Sequence, residues 1–159
     1  MIIREIQKQD NPDVEQLIRT CLIEFGANKP GTAWSDPDLG RFYELYQKEQ
    51  TNYWVAIEDN KLVAGCGIGD IPGRPDVCEL QKMYAAPSAR GSGVAERLLQ
   101  TSLTFAKQHY NACYLETIHT MHAANRFYQK HGFKKLDAPL LETEHFSCDA
   151  WYIKTLQEE

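Results

Sequence analysis

Two spacings of apolar residues recur along this chain and divide it into strands and helices. Residues 1–7 carry Ile2, Ile3 and Ile6 in a short run that predicts a first strand. Asn11-Pro12-Asp13 then offers a capping side chain and a proline suited to a first helical turn. Val14, Leu17, Ile18, Cys21, Leu22 and Phe25 follow at a period near 3.6, and Gly26 ends the pattern. Residues 27–35, with Pro30, Gly31 and Trp34, read as a loop. A second helix is predicted from Asp36-Pro37, burying Leu39, Phe42, Tyr43 and Tyr46. Residues 53–57 and 62–68 predict two strands around the turn Glu58-Asp59-Asn60-Lys61.

Gly65, Gly67 and Gly69 imitate a nucleotide-binding loop, but Ile71-Pro72-Gly73-Arg74-Pro75 forbids the helix such a loop needs. They read instead as strand glycines at a bulge or a close contact. A strand resumes over residues 77–85, and a long helix follows from Gly91 to about Tyr110. Its apolar face is Val94, Leu98, Leu99, Leu103, Phe105 and Ala106. Further on, residues 112–118 predict a strand, 121–130 a helix and 133–136 a short strand. A loop over 139–146 precedes a last strand over 148–156. Strands interleaved with helices imply a mixed α/β sheet covered by helices.

Composition narrows the class. The 159 residues suit one domain, expected to span 1–159, and 43% hydrophobic with 25% charged residues is ordinary for a globular chain. No apolar run reaches membrane-spanning length, and the N-terminus lacks signal-peptide character, so no membrane partner is expected. Five scattered cysteines without a Cys-x-x-Cys fit a reducing, cytoplasmic setting. Net charge is −5, which argues against nucleic acid as a partner. The first 80 residues hold 8 Lys/Arg against 14 Asp/Glu, the remainder 9 against 8. A polyanionic cofactor on the second half and a cationic amine near the first would suit that asymmetry.

The chemistry concentrates where the strand over 77–85 runs into the long helix. Arg90, Gly91, Ser92, Gly93, Val94 and Ala95 form its mouth, where backbone N–H groups have no intrahelical acceptor. With the positive end of the helix dipole, such a turn binds phosphate. It lacks the Gly-Lys-Ser/Thr of a P-loop and the Gly-x-Gly-x-x-Gly of a dinucleotide site. What stands here is Arg90-x-x-Gly93-x-Ala95, and further on Ala124-Asn-Arg-Phe-Tyr128-Gln-Lys-His-Gly132-Phe133. The first resembles the acetyl-CoA turn of the GCN5-related N-acetyltransferases (GNAT), Gln/Arg-x-x-Gly-x-Gly/Ala. The second resembles that family's Ala-x-x-Leu-Tyr-x-x-x-Gly-Phe segment. The chain also resembles a bacterial subgroup whose acceptor is unassigned.

The resemblance implies a mixed, mainly antiparallel sheet of about six or seven strands flanked by about four helices. It implies acetyl-CoA as co-substrate, no metal, and direct acetyl transfer to a primary amine of a small molecule or peptide within a ternary complex. Carried over residue by residue, residues 90–95 bind pyrophosphate, and Met83, Tyr84 and Ala85 offer backbone to the pantetheine arm. Tyr128 falls on the position of the acid that reprotonates the thiolate, and Glu79 on a strand where relatives place a basic carboxylate. Glu116 is a rival on the next strand and a candidate substrate contact, as are Trp34 and His145. Met121 stands where the family often has Asn, seven residues before the tyrosine; Asn125 inherits no role from it. The His145–Cys148 and His119–His122 pairs lack further ligands at metal-site spacing. A homodimer is compatible with the resemblance. A second reading keeps the phosphate turn but loses the acid and base: a non-catalytic acyl-CoA sensor.

Overall fold

A computed structural model describes residues 1–140 and 148–157. Seven strands form one sheet in the order β1-β2-β3-β4-β5-β7-β6. They are β1 (Ile2–Glu5), β2 (Asn52–Glu58), β3 (Lys61–Ile71), β4 (Arg74–Ala85), β5 (Ala112–Thr117), β6 (Lys134–Leu136) and β7 (Ala150–Thr155). All neighbours run antiparallel except β4 and β5, which are parallel. Four α-helices flank the sheet: α1 (Asn11–Glu24), α2 (Phe42–Leu45), α3 (Val94–Lys107) and α4 (His122–Lys130). The expected mixed, mainly antiparallel architecture is the observed one.

Each face of the sheet is covered by what the patterning offers it. The α3 stripe buries Val94, Leu98, Leu99 and Ala106 against Trp54, Cys66, Ile68, Leu80 and Leu115. Full burial of side chains such as Leu98 and Leu99 is worth about 1.5–3 kcal/mol each. On the opposite face, Val14, Ile18 and Leu22 of α1 pack with Leu39, Phe42, Tyr46, Tyr53 and Val55. Between β2 and β3, Asp59 and Asn60 take φ of 51° and 62°. Positive φ at both central residues is the geometry that suits a two-residue hairpin and residues of this type.

Three expectations change. Asn11 does not cap α1; its Oδ1 accepts the Tyr43 N–H at 2.9 Å and its Nδ2 donates to Glu44 at 2.7 Å. It therefore ties α1 to α2 rather than closing its own helix. The predicted second helix shrinks to Phe42–Leu45; Asp36 lies in extended backbone (φ −66°, ψ 127°), the conformation favoured before Pro37, and pairs with Lys82. Leu39, Phe42 and Tyr46 are buried nonetheless. Phe25 continues the α1 stripe in sequence but is 50% exposed, since the helix stops at Glu24.

Gly65, Gly67 and Gly69 lie in β3 under large side chains of the α1 face. A Cβ at Gly65 would come within 2.5 Å of the Tyr53 hydroxyl, and one at Gly67 within 2.7 Å of the Tyr53 ring. At Gly69 it would meet the Gln81 amide at 2.4 Å. The glycines make room for Tyr46, Tyr53 and Gln81 to lie flat on the strand, so the close-contact reading holds. Gly65→Ala is expected to destabilise the fold by about 1–3 kcal/mol, the usual cost of overpacking. Urea unfolding monitored by tryptophan fluorescence should show the lowered midpoint with an unchanged slope.

Candidate active site

The site begins where two strands part. β4 and β5 pair only over Val77–Ala112, Cys78–Cys113 and Glu79–Tyr114. Beyond Glu79, β4 continues to Ala85 beside β3, while β5 continues to Thr117 beside β7. A V-shaped opening follows, along which β4 beyond Glu79 has no strand partner on the β5 side.

Within that edge the side-chain alternation reverses. Cys78 and Leu80 face α3, as do Met83 and Ala85 after them, so the apolar parity slips by one residue. The cause is a bulge: Lys82 and Met83 together oppose Cys66, and Lys82 has φ 53°. Without the slip, Lys82 would point into the apolar layer under α3, where an ammonium is prohibitively costly. With it, Lys82 turns to the cleft and pairs with Asp36, both side chains nearly buried. The Lys82 carbonyl accepts the Tyr53 hydroxyl at 2.8 Å. Tyr53 can reach it because Gly65 has no side chain.

Two cavities meet at this edge. A cleft of about 150 Å³ is lined by Glu79, Gln81, Lys82, Glu116, Thr117 and Cys148, among others. A second, of about 220 Å³, lies between the end of β4, the start of α3 and α4, lined by Ala85, Ala95, Leu98 and Phe127. Met83, Tyr84, Ala124 and Tyr128 line both. Tyr128 therefore stands at the junction, its hydroxyl 4.0 Å from the Met83 sulfur. Burial pushes its phenol well above the ordinary tyrosine range, and Tyr84 is shifted the same way for the same reason.

The two carboxylates are held differently. Glu79 accepts the Gln81 amide at 2.6 Å, and Gln81 in turn accepts the buried Tyr46 hydroxyl at 2.7 Å. Glu116 accepts the Tyr114 hydroxyl at 2.7 Å, while its other oxygen is buried and lacks a hydrogen-bond partner. Cys148 lies among these groups; burial and then the Glu116 charge push its thiol up to about 12. A thiol so shifted stays protonated at neutral pH and is a poor nucleophile.

The turn before α3 has the form expected of an anion cradle. Gly91 and Gly93 take φ of 80° and 84°, values that favour glycine, and a Cβ on either would meet open space. Of the turn's N–H groups, Arg90 donates to Pro87 and Ser92 to Ala89. Val94 is buried, so only its backbone faces the turn. The Arg90 side chain is committed elsewhere: two nitrogens bind Glu24 at 2.6 and 2.7 Å, and its Nε donates to the Ala85 carbonyl at 3.1 Å. That contact holds Glu24 below the usual carboxylate range. Arg90 thus fastens the end of α1 to the turn.

Other predicted residues are dispersed. Trp34 does not line the cleft, although its neighbours Thr32 and Ala33 do. Its indole is stacked by Arg19, 4.7 Å from the ring centre, and packs half-buried against the α1-side core. His145 lies outside the described residues. Asn125 donates to the Ile118 and Met121 carbonyls at 3.0 and 2.7 Å and accepts from Tyr152 at 2.6 Å. It fixes the link from β5 to α4 and so is structural. Among the described residues no cluster of three or more His, Cys, Asp or Glu could hold a metal ion.

Comparison with known proteins settles the family. A model described as the acetyltransferase (GNAT) family matches residues 12–133. The chain belongs to that family. It is 35% identical to the uncharacterized N-acetyltransferase YjgM of Escherichia coli K12, over 98% of this chain and 95% of that one. A GNAT-family acetyltransferase structure from Staphylococcus aureus Mu50 superposes with a TM-score of 0.83 at 21% identity, covering 98% and 99% of the two chains. An aminoglycoside 6′-N-acetyltransferase solved with coenzyme A superposes at 0.72 and 18% identity, covering 100% and 99%. At those identities the structures attest the fold. The protein is an N-acetyltransferase, and the sensor reading has no support from the relatives.

Lys82, Asp36, Gln81 and Tyr53 were not singled out from the sequence. The slip between Cys78-x-Leu80 and Met83-x-Ala85 was the available signal for the bulge. In this acetyltransferase, Tyr53→Phe removes one hydroxyl and leaves the Lys82 carbonyl without its donor. An unsatisfied buried group of this kind costs about 1–3 kcal/mol. The expected result is a folded protein with kcat lowered several-fold and the acetyl-CoA dissociation constant within about twofold, read by thiol release and calorimetry.

Proposed function

We propose that this chain, acting as one domain, moves the acetyl group of acetyl-CoA to a primary amine by direct transfer in a ternary complex. The observation that carries the reading is the meeting of two cavities at Tyr128 where β4 and β5 part. One cavity adjoins the glycine turn and suits the cofactor; the other, walled by carboxylates, suits an ammonium-bearing acceptor. The relation to a named N-acetyltransferase over nearly the whole chain supports the same reaction class.

The residues present fit coenzyme A. Open space over Gly91 and Gly93, with the N–H groups of Gly93, Val94 and Ala95 at the α3 N-terminus, suits a pyrophosphate. The edge of β4 at Met83, Tyr84 and Ala85 offers main-chain groups to the amide-bearing pantetheine arm. When bound, acetyl-CoA supplies an activated acyl carbon as a thioester. Backbone N–H donors on the bulged edge then stabilise negative charge on the acyl oxygen. Because Tyr53 and the Lys82–Asp36 pair fix the bulge, those donors are set before substrate arrives.

Glu79 acts as general base, taking a proton from the acceptor ammonium onto its carboxylate. Its bond to Gln81, backed by Tyr46, orients it toward the cleft. Tyr128 acts as general acid toward the departing sulfur. Its raised pKa keeps the phenol protonated across neutral pH, the state an acid needs. Glu116 and Thr117 form the acceptor side opposite.

Turnover of a panel of primary amines with acetyl-CoA, read as thiol release, tests the assignment. Tyr128→Phe should lower kcat by about 10²–10⁴, the usual weight of general acid catalysis, with little change in acetyl-CoA affinity. Because the Tyr128 pKa is raised, wild-type kcat should show no alkaline limb from this residue below about pH 10. Glu79→Gln should remove the acidic limb of kcat/KM; an unaltered profile would reassign the base.

A further inference from the structure

Glu116 is an under-used carboxylate in the wall of the acceptor cleft. An ionised carboxylate offers about four acceptor positions. Among the described residues Tyr114 fills one, Oε1 has no hydrogen-bond partner, and no Lys, Arg or His forms an ion pair with it. The cation of the same cleft, Lys82, is engaged by Asp36. Tyr114 itself is anchored by the Leu140 N–H at 3.3 Å, so it keeps its single proton on Glu116 and cannot serve both oxygens. Leaving a buried carboxylate oxygen without a donor is unfavourable, and native proteins keep few such groups without a reason. A ligand ammonium, with three donors and a positive charge, meets this need better than any neutral group.

Position narrows the ligand further. Glu79 and Tyr114 are parallel partners, and Glu116 lies two residues further along β5. With a rise of about 3.3 Å per residue and strands about 4.8 Å apart at the last pair, the Glu79 and Glu116 Cα atoms are at least roughly 8 Å apart, since β5 diverges beyond Tyr114. Both residues line the one cleft, which is also bounded by Tyr128.

We propose that the acceptor is a short aliphatic diamine, with one nitrogen presented at Glu79 and Tyr128 for acetylation and the distal ammonium held by Glu116. The inference rests on the transferase reading of this cleft and adds to it the acceptor class. Monoacetylation removes charge from one end only, so the product keeps the ammonium that Glu116 holds while losing the nucleophile.

Full-length enzyme with acetyl-CoA is assayed on 1,4-diaminobutane and 1,5-diaminopentane against butylamine and pentylamine. The expected result is a diamine kcat/KM at least about tenfold above that of the chain-matched monoamine, the weight of one charge-assisted contact. In Glu116→Gln that ratio should fall to near one, mainly through a higher KM for the diamine, whereas Glu79→Gln should lower kcat for both classes. Glu116→Asp, which keeps the charge, should restore part of the preference and move it toward the longer diamine. Equal use of monoamines and diamines by the wild type would overturn the inference and leave the transferase reading standing. A diamine preference untouched by Glu116→Gln would overturn the role of Glu116. Coenzyme A binding with no turnover of any amine would overturn the inference together with its premise.

Discussion

The whole arrangement depends on a missing piece of hydrogen bonding between two parallel strands. β4 and β5 share three residue pairs and then separate, with each strand keeping a partner on its other side. A sheet that abandons pairing in its middle exposes backbone groups that must be met by something. Here they face two cavities, so strand edge and ligand space are created by one event. Every candidate group in the site is within reach of that parting: the bulge on β4, Glu79 at its root, Glu116 across it, Tyr128 at its mouth.

The bulge makes the parted edge usable. A strand with regular alternation would send Lys82 under α3 and Met83 toward the cleft. One extra residue opposite Cys66 inverts this, and the strain of a positive φ at Lys82 is offset by two contacts. Tyr53 holds the Lys82 carbonyl, Asp36 holds its ammonium, and the glycines of β3 let Tyr53 and Tyr46 lie close enough to matter. Asp36 lies in extended backbone before Pro37, in the stretch where the second helix was expected. The loop that gave up helical structure is the loop clamped over the cleft.

Cofactor and acceptor sides are built by different means. The proposed cofactor side is mostly main chain: two left-handed glycines, a helix N-terminus and a strand edge. Its one large charge, Arg90, braces α1 through Glu24 instead of reaching over the turn. The proposed acceptor side is mostly side chain, with Glu79, Gln81 and Lys82 from β4, Glu116 from β5 and Cys148 from just before β7. A site built from main-chain groups depends little on which side chains surround it, and the fold itself is kept in structures only 18% identical. Side-chain sites change with each substitution, and in the proposed reading the acceptor is chosen there.

The sequence by itself determined the elements, their order and the family. Helical period marked α1 and α3, turn chemistry marked the β2–β3 hairpin, and Gly91 and Gly93 marked the tight left-handed turn before α3. These are local signals, carried by neighbours within a few turns or strand residues. It also identified Tyr128 and the two carboxylates as candidates, but not which cavity each would line. Only the tertiary structure decided that β4 and β5 part after Glu79, that Trp34 packs against the α1-side core instead of lining the cleft, and that Asn11 and Arg90 serve as ties. Those outcomes depend on contacts between residues tens of positions apart, such as Tyr53 with Lys82 and Arg90 with Glu24. No periodicity along the chain encodes a hydrogen bond whose donor and acceptor meet only once the sheet has formed.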